Sequence, residues 1–159
     1  MNDWLALALG VFLTIGTGLF VASEFSMVNL ERSELEARRE RGERGLSNTI
    51  RALKMTSTHL SSAQLGITLT TMLTGFLFEP ALAALLSPIF SSLDVSDETR
   101  RTFAVVLGMF LATLFSTLIG ELVPKKLALT KPLETNRFVV LFQLAFTWLM
   151  GWMLSLIHI

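Results

Sequence analysis

Four stretches of the chain are almost free of charge, and short, densely charged stretches separate them. Trp4 to Leu30 is the first, with Glu24 as its one charged residue. Leu60 to Phe78, Phe103 to Ile119 and Phe138 to Ile157 contain no charged residue at all. A helix rises ~1.5 Å per residue, so ~20 apolar residues cross a ~30 Å hydrocarbon core. This pattern predicts an all-α membrane protein occupying residues 1–159 as one transmembrane domain. Its spans fall at about 4–30, 60–86 and 102–123. The fourth stretch, about 137–157, is long enough to span or to lie in the interface. A break is expected at Glu79-Pro80, with a short helix near the membrane surface after it.

The polar segments suggest an orientation. Glu31 to Lys54 holds seven basic residues against five acidic ones. Lys and Arg mark the inner side, so this juxtamembrane segment, about 31–57, reads as cytoplasmic. Its mixed charges predict a surface helix with pairs such as Glu34–Arg38 and Glu40–Arg44, and a second short helix from Ser47 to Met55. Ser91 to Arg101 carries far less basic charge and reads as the outer side. Lys125, Lys126, Lys131 and Arg137 face only Glu134, which returns the chain to the cytoplasm.

Composition narrows the chemistry. The chain is 52% hydrophobic and 16% charged with zero formal net charge, so no basic field invites nucleic acid. Without cysteine there are no disulfides, thiolate nucleophiles or thiolate metal sites. Two histidines are too few for a histidine-based zinc cluster. No Ser-x-x-Lys, His-Glu-x-x-His or Gly-x-Ser-x-Gly pattern appears, and no Gly-rich phosphate loop, so no enzyme activity is expected. The N-terminus lacks a positive n-region and its apolar run is too long for a signal peptide, which predicts a retained span. The end at Leu156-Ile157-His158-Ile159, with no polar tail, reads as a truncation.

What remains is oxygen: carboxylates, hydroxyls, amides and carbonyls, a donor set for hard cations such as Mg²⁺, Ca²⁺ or Na⁺. Gly120-Glu121-Leu122-Val123-Pro124 is the stretch where these could act. Glu121 closes an apolar span, and Pro124 removes a backbone donor that would otherwise hold a carbonyl of the preceding turn. Discontinuous helices of this kind bind ions in transporters. A helix end capped by a glutamate and stopped by a proline explains the same residues structurally, and the residues alone leave both readings open. Gln64, Thr68 and Thr71 share one helix face, which either bonds to other helices or lines a polar cavity.

Gly120-Glu121-Leu122-Val123-Pro124-Lys125-Lys126-Leu127-Ala128 resembles the signature of the transmembrane (DUF21) domain of the CNNM/CorC family. Ala22-Ser23-Glu24-Phe25-Ser26-Met27-Val28, the run Arg32-Ser33-Glu34-Leu35-Glu36 and Leu60 to Leu69 agree with it in the same order. The resemblance implies Mg²⁺ transport, as Mg²⁺ efflux coupled to Na⁺ entry. It also implies a homodimer in the lipid bilayer of the cell, plasma or inner, membrane, with three spans and a belt-like helix. Family members continue into cytoplasmic CBS domains, which are absent here, so the C-terminus is expected in the cytoplasm and the N-terminus outside. By motif, Glu121 becomes the central ion ligand, with a carbonyl at Gly120. Ser23, Ser26 and Glu24 are expected partners from the first span, and Ser62, Gln64 and Thr71 from the second. Lys125 and Lys126 are expected to anchor at the headgroups. The competing reading is a membrane anchor or sensor scaffold for the CBS domains, without transport of its own.

Overall fold

The computed structural model describes residues 2–92 and 96–155. Every regular element among them is helical: α1 (Asp3–Val28), α2 (Arg32–Glu40), α3 (Ser47–Leu53), α4 (Thr56–Leu86), α5 (Asp97–Thr117), α6 (Val123–Thr130) and α7 (Pro132–Ser155). A 3₁₀ turn, Ser87–Ser92, follows α4, and a π-helical turn, Leu118–Leu122, joins α5 to α6. Three helices are long and apolar enough to cross a membrane: Asp3–Val28, Thr56–Phe90 and Asp97–Thr130. The protein is therefore an all-α membrane protein. The last residues of the expected belt, 156–159, lie outside the described residues.

Local chemistry sets the helix ends. Asn2 caps α1, its side chain accepting from the Trp4 N–H at 3.3 Å. Ser96 caps α5 in the same way, accepting from the Thr99 N–H, with Asp97 and Glu98 in the first turn. Gly42, in the left-handed region at φ +94°, ends α2, and Gly45 at φ +80° turns the chain on toward α3. This is why the expected Glu40–Arg44 pair does not form among the described residues: Arg44 lies beyond the helix. Glu34 does reach Arg38, at 3.7 Å, and Arg32 meets Glu36 at 2.8 Å. That guanidinium holds the Glu36 carboxyl below its ordinary value.

The expected break at Glu79-Pro80 is absent, since α4 runs through Pro80 to Leu86. Proline's fixed φ is helical, and it forfeits one intrahelical bond without ending the helix, as spanning helices tolerate.

Small residues bring the long helices together. A Cβ on Gly108 would lie 2.8 Å from the backbone N and Cα of Ala83, so α5 and α4 touch backbone to backbone. Phe20 on α1 (3% exposed) lies flat on Gly66 of α4, and its ring centroid is 4.5 Å from that of Phe146 on α7. Below these helices the charged segment is less superficial than its composition suggests. Leu35, Leu46, Ile50 and Leu53 bury against Met27 and Val140 in a small core of their own. Arg137 ties α7 to this cap, reaching Glu43 at 2.8 Å and the Arg44 carbonyl at 3.1 Å.

A polar seam fixes α7 on α1 and α4. Gln143 Nε2 donates to the His59 carbonyl at 3.0 Å and lies 3.2 Å from Ser62 Oγ. Thr147 Oγ1 donates to Ser62 Oγ at 2.9 Å, and Asn136 Nδ2 donates to Ser26 Oγ at 3.1 Å. All these side chains are buried, where an unmade bond costs ~1–3 kcal/mol. Ser62→Ala is therefore expected to lower the thermal midpoint in detergent by several degrees, since ~1–2 kcal/mol shifts a chain of this size by roughly 2–4 °C per kcal/mol. An unchanged midpoint would remove this role from Ser62.

Candidate cation site at the π-helical turn

Glu121 sits inside the π-helical turn. The turn shows in the Val123 N–H, which donates to the Leu118 carbonyl five residues back. A π turn widens the helix by one residue and leaves carbonyls poorly matched to donors, a device common at functional sites. Pro124, in the first turn of α6, contributes no N–H to those carbonyls. The helix nevertheless continues to Thr130, so the proline shapes the third span without terminating it.

Gly18 of α1 makes room for this irregular backbone. A Cβ there would come to 3.0 Å from Pro124 Cγ and 3.3 Å from the Ile119 carbonyl oxygen. Gly120 is buried against Thr14 and Thr17 of α1. Gly18→Leu is expected to push α1 from the turn and lower the thermal midpoint, because overpacking costs ~1–3 kcal/mol. Wild-type melting of that variant would show that the contact does not position the turn.

Beside the turn lies a cavity of about 340 Å³, formed by three helices. Thr17, Val21, Glu24 and Phe25 line it from α1, Ile67 and Thr71 from α4, and Ser116, Thr117, Gly120 and Glu121 from α5 and the turn. Of the residues expected from the sequence, it brings together Glu121, Gly120, Glu24 and Thr71. Gln64 reaches the same place indirectly: its Nε2 donates to Glu24 Oε1 at 3.0 Å and fixes that carboxylate. Thr17 Oγ1 donates to Thr70 Oγ1 at 2.7 Å, stitching α1 to α4 along the wall. Two carboxylates and several hydroxyls therefore face one space, and no group of three His, Cys, Asp or Glu is found among the described residues. An ion held here would rely on neutral oxygens as well as charge, the donor set of a hard cation.

Ser23, Ser26 and Ser62 do not line this cavity. Ser26 donates to the Ser23 carbonyl at 3.0 Å and accepts from Asn136, and Ser62 belongs to the Gln143–Thr147 seam. Ser23 Oγ is fully buried without a hydrogen-bond partner among the described residues. Helical spacing assigns these serines to a face but cannot say which neighbour covers it. Conversely, Thr17, Ser116 and Thr117 were not among the expected ligands, although the Ser116 and Thr117 hydroxyls, at helical spacing before Glu121, carried a signal. The Lys125 ammonium lies 4.5 Å from the centroid of Phe25, a residue of the cavity wall. This puts a cation–π contact at the cavity margin.

Three apolar spans, the third interrupted by a π turn whose carboxylate lines a cavity between the helices, define a multi-helix membrane domain. The chain belongs to the CNNM family: the family's Cyclin M transmembrane N-terminal domain matches residues 8–159. It is similar to the UPF0053 protein MT1890 of Mycobacterium tuberculosis, 40% identical over 151 residues, which is 94% of this chain and 33% of that protein. It is also similar to the UPF0053 protein YhdT of Bacillus subtilis, 35% identical over 123 residues, covering 77% of this chain and 26% of that protein. The chain thus spans about a third or less of the length of these relatives.

Proposed function

We propose that this domain moves Mg²⁺ across the membrane through the cavity beside the π turn, with Glu121 as the central ligand. The observation that carries this reading is the convergence of Glu121, Glu24, Thr71 and the Gly120 backbone on one cavity inside apolar helices. A carboxylate at such depth is costly unless it meets a cation or water. Glu121 and the Gly120 carbonyl supply direct ligands. Glu24, held by Gln64, supplies the second negative charge. Ser26 and Ser62 hold α1 and α4 to α7 in this arrangement and would reach an ion only if α7 moved.

In the same reading, the domain lies in the cell membrane with its N-terminus outside. The α2–α3 cap and the C-terminus are cytoplasmic, as the basic residues of 31–54 and 125–137 favour. It works as a homodimer, with α7 as the interfacial helix and CBS domains beyond it in the whole protein. Entry of Na⁺ drives Mg²⁺ out. Reporter fusions at the two ends test the sidedness, and an external C-terminus would overturn it. Mg²⁺ flux in liposomes, compared between the wild-type protein and Glu121→Gln, tests the function. The scaffold reading draws on the hydrogen-bonded serines at α7 and predicts no flux from either protein.

A further inference from the structure

A second, smaller cavity of about 170 Å³ lies farther along the seam between α4 and α5. Thr71, Thr74, Gly75, Phe78 and Glu79 line it from α4, and Ala112, Thr113, Ser116 and Thr117 from α5. It shares Thr71, Ser116 and Thr117 with the Glu121 cavity, so the two spaces adjoin across three hydroxyl side chains. We propose that this cavity is a second cation subsite, in which Glu79 holds the partly hydrated ion on its way to or from Glu121. The proposal rests on the transport reading above.

Four observations carry it. Glu79 is the only Asp, Glu, Lys or Arg of α4, and it lies within a span long and apolar enough to cross a membrane. It makes no hydrogen bond or ion pair among the described residues, so its charge lacks the partner that such a position normally requires. Thr74 is 3% exposed, and its Oγ1 on the cavity wall has no hydrogen-bond partner among the described residues. The lining holds oxygen donors and no basic side chain, which favours a hard cation over an anion.

The cavity's size and place say how it would work. At ~30 Å³ per water it holds an ion with roughly five waters, which suits Mg²⁺, an ion that dehydrates reluctantly and keeps several waters. Glu79 is eight residues from Thr71 along α4, a rise of ~12 Å from the level of the Glu121 cavity. Beyond it the seam closes where Gly108 packs on the Ala83 backbone. Glu79 therefore stands at the inner side of a closed contact, at the end of a hydroxyl-lined path. One carboxylate acting partly through water makes a weak site that concentrates the ion and leaves the tight step to Glu121.

Mg²⁺ flux into liposomes, measured against Mg²⁺ concentration, tests this with four variants of the full protein. Glu79→Gln and Thr74→Val are expected to raise the half-saturating concentration about fivefold, the scale of one water-screened charge contact, with the maximal rate nearly unchanged. Glu79→Asp should restore the wild-type curve, and Glu121→Gln should abolish flux. Thr74→Val replaces an unpaired hydroxyl by a methyl group of the same shape, so it folds normally and keeps the test valid if Glu79→Gln does not fold. Glu79→Gln and Thr74→Val curves that coincide with wild type, alongside a dead Glu121→Gln, would overturn the subsite and leave the transport reading standing. Retained flux in Glu121→Gln would overturn the transport reading and the subsite with it.

Discussion

Glu121→Gln is expected to reduce Mg²⁺ flux by about a hundredfold while the protein still inserts and melts near the wild-type temperature. The substitution keeps the shape of the side chain and removes the charge at the centre of the π turn. Each ~1.4 kcal/mol of lost ion binding is a tenfold loss of occupancy, so a hundredfold loss corresponds to ~3 kcal/mol. Stability should change little, because no hydrogen bond or ion pair of Glu121 holds helices together among the described residues. Glu24→Gln should have a smaller effect, since Gln64 and Thr71 remain on that wall. A stable protein without flux separates the chemistry of the turn from its architecture. A destabilised one would assign Glu121 to a structural cap.

The largest expected loss of stability comes from Gly108→Val on the opposite part of the same seam. A Cβ at Gly108 meets the N and Cα of Ala83 at 2.8 Å, and backbone cannot yield as the end of a flexible side chain can. The helices must separate, at a cost near ~3 kcal/mol, the upper end for overpacking. For a chain of this size that lowers the melting midpoint by roughly 6–12 °C. Thermal unfolding in detergent, followed by helix content, measures it. A shift below roughly 2 °C would mean that α4 and α5 are not locked at this point.

The architecture was more legible in the sequence than the site. Uncharged runs locate α1, α4 and α5 because a bilayer demands length and apolarity, both of which are sequence properties. Glu79-Pro80 shows the limit of local signals: proline's cost in a helix is one lost bond, which the surrounding span absorbs. The Gly-Glu-x-x-Pro pattern pointed to an irregular turn, and the turn proved to be a π bulge within a continuing helix rather than a terminus. Glu24 and Thr71 could be named as residues but not placed, since their approach to Glu121 depends on close contacts at Gly18 and Gly66 between distant segments. Ser26 and Ser62 mark the boundary most plainly. A buried hydroxyl that binds an ion and one that accepts from Asn136 or Gln143 look the same in one dimension, and only the position of α7 separates them.

The central claim is that Glu121 and the cavity beside it hold the transported ion. A structure of the protein loaded with Mg²⁺ tests this most directly. The account predicts ion density between α1, α4 and the π turn, with a Glu121 carboxylate oxygen ~2.0–2.1 Å from it. Density against the buried serines of the α7 seam, with the Glu121 cavity left without an ion, would contradict it.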